Sequence, residues 1–103
     1  MRMKVNVQSV NFNIDQKLVD FTQIKVDNLE KYYDKIIGAE VYLKLQNTSD
    51  KVNKIAEIKL KIAGDELIVK KLGKTFEEGI DLAVDSLKRQ LNKKKEMQRA
   101  HHI

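Results

Sequence analysis

The sequence predicts an α+β fold, a two-layer sandwich in which two long helices lie on one face of a four-stranded sheet, in the order β-α-β-β-β-α. Two observations indicate this fold. Four short segments alternate polar and apolar residues, as strands with one buried face do. Two longer segments repeat apolar residues at helical spacing, and the chain contains no proline to interrupt them. Elements that each have one apolar side bury it most simply in two layers. We therefore expect the other face of the sheet to meet solvent.

The first half of the chain is predicted to form a strand, a helix and a second strand. The first strand covers residues 3–10. Its apolar side consists of Met3, Val5 and Val7. A helix follows over residues 16–37, with Asp15 as its N-cap and Gly38 as the residue that ends it. The second strand covers residues 40–46. Its inward side chains are those of Val41, Leu43 and Leu45.

The second half is predicted to form two more strands and a second helix. A polar turn at residues 47–53 precedes a strand over residues 55–63. The inward side chains of that strand are Ala56, Ile58, Leu60 and Ile62. Gly64 begins a turn, and a fourth strand covers residues 67–72, although its pattern does not assign an inward side. The second helix covers residues 75–99.

The positive charge is concentrated at the end of the chain, in residues 86–103. This segment holds six basic residues and one acidic residue, a balance equal to the net charge of +5 of the whole chain. The six are Lys88, Arg89, Lys93, Lys94, Lys95 and Arg99. Basic residues at the end of a helix interact favourably with its dipole, but each contact stabilises by only ~0.3–1 kcal/mol. Close bases also repel one another. The cluster therefore favours a polyanionic partner.

The second predicted helix has an apolar stripe that indicates how far it is packed. The stripe consists of Phe76, Ile80, Ala83, Val84, Leu87 and Leu91. Lys94 follows in the direction of the same stripe, which indicates that the helix has passed the edge of the core there. We expect the packed part to end near Leu91 and the last two turns to project into solvent. Gly79 lies inside this helix, where glycine costs ~1 kcal/mol relative to alanine. A close approach of the helix to the sheet would explain a glycine at this position.

The first predicted helix separates its charges by sign around an apolar stripe. The stripe consists of Leu18, Val19, Val26, Leu29, Tyr33, Ile36 and Ile37. One flank carries Lys17, Lys25, Lys31 and Lys35, and the other carries Asp20, Asp27, Glu30 and Asp34. Solvated helices more often mix the two signs in i,i+4 pairs, so the lysine flank predicts a second basic surface. For Lys25, between Phe21 and Tyr32, the alternative is a lysine whose stem packs on the core.

Lysine-rich helical faces suit phosphate backbones, since each phosphate contact adds affinity and salt dependence. Two basic ridges over a sheet are able to follow a folded RNA by its shape rather than by its sequence. No motif that reads bases is visible. Tyr32, Tyr33 and Tyr42 are candidates for stacking on bases, but Tyr33 also fits the core and Tyr42 the polar side of its strand.

The sequence predicts no catalytic or metal site, so we expect neither an enzyme nor a cofactor. The chain contains no cysteine, and its two histidines, His101 and His102, are adjacent at its end, which suits neither metal binding nor acid–base chemistry. None of the four glycines belongs to a phosphate-cradling motif. The N-terminus lacks the apolar run of a signal peptide, and no segment approaches the ~20 apolar residues of a membrane span. We expect a soluble, cytoplasmic protein.

The stretch GIDLAVDSLKRQLNKKKE, residues 79–96, resembles the closing helix of ribosome hibernation-promoting factors, the family that includes the ribosome-associated translation inhibitor. The matching residues are Ile80, Asp81, Asp85, Leu87, Arg89, Gln90, Leu91, Lys93 and Lys95. The stretch KVDNLEKYYDKI, residues 25–36, resembles the end of the family's first helix. Its matching residues are Lys25, Leu29, Tyr33 and Asp34. The order of elements agrees as well, whereas the aromatic residue before the closing motif, Phe76, lies one place earlier than the family usually has it.

This resemblance implies a single domain, residues 1–103, of the family's short form. It implies binding to the small ribosomal subunit in the decoding and messenger channel, contact with 16S-type ribosomal RNA, and inhibition of translation in stationary phase or stress. The matching positions carried over as RNA-binding are Lys25, Arg89, Lys93 and Lys95. Helical geometry adds Lys31, Lys35, Lys88, Lys94 and Arg99. We expect no membrane or DNA partner and a monomer away from the ribosome.

Two other readings of the same basic surface stay open at this point. The projecting helix suits a protein-interaction module that docks on an acidic partner. The combination of two helices and one sheet is also typical of a free-standing double-stranded RNA-binding domain. Tight binding to plain RNA duplexes favours the latter, and capture of one acidic protein favours the former.

Overall fold

The computed structural model describes residues 4–10, 12–49 and 51–100, and for residues 98–100 it describes the backbone only. Its elements are strand β1 (Lys4–Val10), helix α1 (Gln16–Asp27), a 3₁₀ turn (Asn28–Lys31), strands β2 (Ile36–Leu45), β3 (Lys54–Ile62) and β4 (Asp65–Gly73), and helix α2 (Phe76–Ala100). The predicted order β-α-β-β-β-α is confirmed. Met3, the side chain of Arg99, His101 and His102 lie outside the described part.

The four strands form one mixed sheet in the order β1-β2-β3-β4. β1 and β2 are parallel, and the other neighbours are antiparallel. A parallel pair requires a crossover connection, and α1 supplies it. Both helices contact each other and the same face of the sheet, so the two-layer architecture is as predicted.

The core lies between the sheet and the helices, and strand alternation predicted most of its sheet side. Val41 and Leu43 of β2 are buried, as are all four predicted inward residues of β3, whereas Leu45 at the end of β2 is exposed. In β4 the inward side chains are Leu67 and Val69. Since side chains alternate along a strand, Ile68 and Leu72 lie on the outer face of the sheet, where both are exposed.

The first helix is shorter than the sequence predicted, and only α2 is long. α1 ends at Asp27, ten residues before the expected end, and Ile36 already belongs to β2. Pairing with two neighbouring strands decides this: Ile36 lies opposite Ile62, and Gly38 lies opposite both Lys61 and Lys4. Backbone hydrogen bonds to both sides outweigh the local helical pattern.

The misleading pattern arose because the 3₁₀ turn keeps the apolar stripe in place. Leu29 and Tyr33 remain buried beyond the end of α1, so helical spacing appears to continue. The amide of Asn28 still donates to the carbonyls of Ile24 and Val26, which tightens the last turn. Ile37, assigned to the stripe, is instead exposed at a bulge of β2.

The N-termini of both helices are capped by the side chain of the residue that precedes the helix. The Asp15 side chain accepts a hydrogen bond from the amide of Leu18 at 2.8 Å, which confirms it as the N-cap of α1. The hydroxyl of Thr75 accepts from the amide of Glu78 at 3.0 Å at the start of α2.

The close approach of α2 to the sheet depends on two glycines. A Cβ atom at Gly79 would lie 3.2 Å from the Cβ of Ala56, which confirms the predicted tight contact with β3. A Cβ atom at Gly73 would lie 2.8 Å from the amide nitrogen of Gly79 and 2.9 Å from the carbonyl oxygen of Thr75. Gly73 therefore allows the end of β4 to pass directly beside the first turn of α2.

Gly73→Ala should lower the free energy of unfolding by about 1–3 kcal/mol, because both atoms that the new methyl group meets belong to the backbone and cannot move aside alone. Gly64→Asn is the matched control. Gly64 has φ +80° with open space around it, and asparagine tolerates this conformation. Urea unfolding of both variants measures the effect, and equal stability of Gly73→Ala and wild type would contradict the packing described.

Candidate RNA-binding surface

The basic end of α2 presents exposed cations beside and beyond the last packed turn of the helix. Leu91 is the last fully buried residue of α2 among those described. Arg89, Lys93 and Lys95 are exposed, and the charge of Arg89 meets the carboxylate of Asp85 at 3.6 Å. We call these three residues the ridge. Among the described side chains, no carboxylate forms an ion pair with Lys93 or Lys95.

A groove between α2 and the end of α1 lies beside the ridge. It has a volume of about 280 Å³. Its lining consists of Lys25, Asn28, Leu29, Tyr32, Asp81, Val84, Asp85 and Lys88. Lys88 Nζ lies 4.6 Å from the centre of the Tyr32 ring, a cation–π contact. The groove therefore combines two lysines, two carboxylates and one aromatic ring.

Lys25 has a charged partner that the sequence did not indicate. Its Nζ lies 3.1 Å from Asp81 Oδ1 on α2 and 5.5 Å from the centre of the Phe21 ring. The side chain is partly exposed, so its stem packs on α1 while its ammonium group stays at the surface. Lys25 therefore combines both predicted features: its stem packs against the protein, and its charge lies at the surface.

Lys94 lies apart from the other cations. Its Nζ forms an ion pair with Asp65 Oδ2 at 2.7 Å, which connects α2 to the start of β4. The hydrogen bond from Lys94 lowers the pKa of Asp65, aided by the bond from the Glu66 amide, and the bond to Asp65 raises the pKa of Lys94. Lys94 is thus an anchor of the helix, and RNA would have to compete with Asp65 for it.

Three further candidates are placed differently from the ridge. Lys31 ends the 3₁₀ turn and Lys35 lies in the connection before β2, so neither continues a helical flank as predicted. Both are exposed, but neither lines the groove. Arg99 lies in the last turn of α2, and its side chain lies outside the described part.

The outer face of the sheet distributes its charges in the opposite way. Lys61 pairs with Glu40 at 3.7 Å and Lys59 with Glu66 at 4.0 Å. The hydroxyl of Tyr42 donates to Glu40 at 2.8 Å, which lowers the pKa of Glu40 and raises that of Tyr42. Two lysines of this face are thus paired with acids, whereas Lys93 and Lys95 of the ridge have no carboxylate partner among the described side chains.

Tyr32 and the two aspartates are the groove residues that sequence reasoning left without a specific role. In the sequence, Asp81 and Asp85 only match the family's closing helix, and Tyr32 is one of three candidates for stacking on bases. Only the packing of α1 against α2 brings them to Lys25 and Lys88.

A family model described as sigma 54 modulation protein / S30EA ribosomal protein matches residues 5–99. The chain belongs to this family of ribosome hibernation factors, which are not enzymes. The resemblance inferred from α2 is thereby confirmed. Among the described residues, neither helix has the length and apolar composition needed to cross a membrane.

Several relatives are named ribosome hibernation promoting factor. That of Pseudomonas putida is 32% identical over 98 residues, which cover 95% of this chain and 92% of the relative. That of Klebsiella oxytoca is 31% identical over 99 residues, covering 96% of this chain and 100% of the relative.

Two solved structures share the fold. The N-terminal domain of Thermus thermophilus Protein Y has a TM-score of 0.75 and 26% identity, and the match covers 90% of this chain and 98% of that one. A ribosomal subunit interface protein from Coxiella burnetii has a TM-score of 0.79 with the same coverage, and its 20% identity shows the fold alone.

Asp65→Asn should lower the melting temperature at neutral pH, because the amide keeps an acceptor for the Glu66 amide but loses the charge that holds Lys94. Because the pKa of Asp65 is lowered in the folded protein, the pair stabilises the fold fully at pH values above the ordinary aspartate pKa of about 3.9. This stabilisation is lost as the pH falls through the lowered pKa of Asp65. The difference in melting temperature between wild type and variant should therefore shrink as the pH is lowered below the ordinary aspartate pKa. A difference that persists unchanged there would contradict this role.

Proposed function

We propose that this protein is a ribosome hibernation factor that binds the small ribosomal subunit in the decoding and messenger channel, contacts 16S-type ribosomal RNA with the helical layer, and blocks messenger and transfer RNA. Two findings support the proposal: membership of the family, and the ridge with its adjoining groove on one side of the molecule. Inhibition of translation in stationary phase or stress follows from occupancy of that channel.

The observation that carries the proposal is the position of the ridge on a rigid element. The apolar stripe of α2 is fixed to the sheet as far as Leu91, and the helix continues to Ala100. Arg89 and Lys93 are four residues apart and share one side of α2, so phosphates at a fixed spacing are able to meet both, whereas Lys95 lies on the other flank and faces a different part of the RNA. Arginine adds bidentate recognition of phosphate, whereas lysine acts as a point charge.

The interface that we propose is centred on Lys25, Lys88, Arg89, Lys93 and Lys95. Lys31, Lys35 and Arg99 are assigned to its periphery, and Lys94 contributes only where RNA displaces Asp65. Recognition by shape suits this surface, since A-form RNA presents phosphates and 2′-hydroxyls rather than readable base edges. A ribosome-bound factor of this kind acts in the cytoplasm, without membrane or DNA, and we propose that it is a monomer off the ribosome.

Replacing Lys88, Arg89, Lys93 and Lys95 together with glutamine should weaken binding to purified small subunits by roughly a hundredfold or more at physiological salt. Each lost phosphate contact also reduces the slope of log K against log salt by about 0.7–0.9, so the slope should become shallower by roughly three. Cosedimentation over a range of salt concentrations measures both quantities.

The matched control replaces four lysines of the outer sheet face, Lys4, Lys44, Lys59 and Lys70, with glutamine. It removes the same charge from the opposite side and should leave binding within a few-fold of wild type. Equal weakening by both sets would show that net charge alone drives association and would contradict the assigned surface. Equally tight binding of wild type to plain RNA duplexes would favour a double-stranded RNA-binding domain instead.

Occupancy of the decoding channel predicts competition. Small subunits saturated with the protein should lose binding of a short messenger and of initiator transfer RNA, and excess messenger should release the protein. Filter binding with labelled messenger measures the competition. Simultaneous full occupancy by both ligands would place the protein elsewhere on the subunit.

A further inference from the structure

Two carboxylates of α2 lie within the surface that we assign to RNA. Asp81 and Asp85 are one helical turn apart and both line the groove. Their side chains are 52% and 63% exposed, respectively. A surface built only to attract phosphates would gain affinity from neutral residues at these positions, so the carboxylates need a physical explanation.

The carboxylates divide the basic surface into two parts. Asp81 holds Lys25 at 3.1 Å and Asp85 holds Arg89 at 3.6 Å. Lys93 and Lys95, further along α2, have no such partner among the described side chains. The end of the ridge is therefore open to any polyanion, whereas on the groove side Lys25 and Arg89 are already paired and Lys88 lies over the Tyr32 ring.

This pairing works against RNA that offers phosphates alone. A phosphate that reaches Lys25 or Arg89 also comes within one Debye length, about 8 Å, of a carboxylate. The phosphate has to break the ion pair and overcome the repulsion between its own charge and that of the carboxylate. Unfavourable contacts that operate against the wrong partner are a general source of specificity.

RNA with exposed base edges meets the same groove differently. Carboxylate oxygens accept hydrogen bonds from base amino groups such as N4 of cytosine, and unstacked bases of folded RNA present these groups. Tyr32 adds an aromatic ring at the groove. The groove lies open at the surface, with Lys25, Asp81 and Asp85 all partly exposed along it, so the edge of an unstacked base is able to reach its carboxylates.

We propose that Asp81 and Asp85 are specificity-determining residues of the RNA surface. They keep Lys25 and Arg89 paired in the presence of generic RNA. The two aspartates release Lys25 and Arg89 to an RNA that brings phosphates to these cations and base amino groups to the carboxylates. This inference rests on the proposed function, because the small ribosomal subunit is the RNA expected to meet both conditions.

The test compares wild type with Asp81→Asn, Asp85→Asn and the double variant. Asparagine keeps the shape of the side chain and removes its charge, and exposed ion pairs of this kind contribute little to stability, so the variants should fold. Thermal unfolding verifies this. Affinity is measured for purified small subunits and for poly(U), a flexible RNA whose bases carry no amino group.

We expect the double variant to bind poly(U) about three- to tenfold more tightly than wild type, with a salt slope steeper by about 0.7 for each released cation. Its preference for small subunits over poly(U) should fall by at least threefold. An unchanged affinity for poly(U), or a preference that falls by less than threefold, would overturn the inference.

Glu57→Gln is the matched control, since it removes one negative charge from β3. Glu57 lies opposite Tyr42 and Lys70 in the sheet register and should leave the preference unchanged. The experiment also separates the two proposals. Failure of the proposed function appears as wild-type protein without a preference for small subunits, whereas failure of this inference appears as a preference that the aspartate variants retain.

Discussion

The packing of α2 against the sheet is the constraint on which the rest of the molecule depends. Ile80, Leu87 and Leu91 are fully buried, and Gly79 brings the helix into contact with Ala56. Because the stripe remains in contact over about three turns, the rotation of the helix about its own axis is fixed. That rotation also determines which side chains face outward, so burial of the apolar stripe is what places the cations of the ridge.

Charged groups of this protein serve stability and recognition in different places. On the outer sheet face, Lys61 and Lys59 have carboxylate partners. Lys94 ties the far part of α2 to Asp65. The end of the ridge lacks such compensation among the described residues. Exposed ion pairs contribute little to folding, so the missing partners cost the fold little. The repulsion among the cations remains and favours a polyanion that neutralises them. The groove combines both situations, since Lys25 is paired with Asp81 but partly exposed, and Lys88 contacts the Tyr32 ring and no carboxylate among the described side chains.

Much of the fold was predictable because its signals are local. Alternation with period 2 identified the inward residues of β3, and helical spacing identified the stripe of α2. Asp15 was recognisable as a cap from its position before the first apolar repeat. The end of α1 was not predictable in the same way. Leu29, Tyr33 and Ile36 fit a continued helix, and only the pairing of β2 with β1 and β3 assigns Ile36 and Gly38 to a strand.

By itself, the sequence determined the periodic elements, the excess of positive charge on α2 and the resemblance to a family, because each of these is written in neighbouring residues. Only the tertiary structure decided which charged groups meet. Lys25 with Asp81, Lys88 with Tyr32, and Lys94 with Asp65 each join residues far apart in the chain. These pairs exist because both helices lie on one face of the sheet, and no local pattern specifies how two packed helices align their exposed sides.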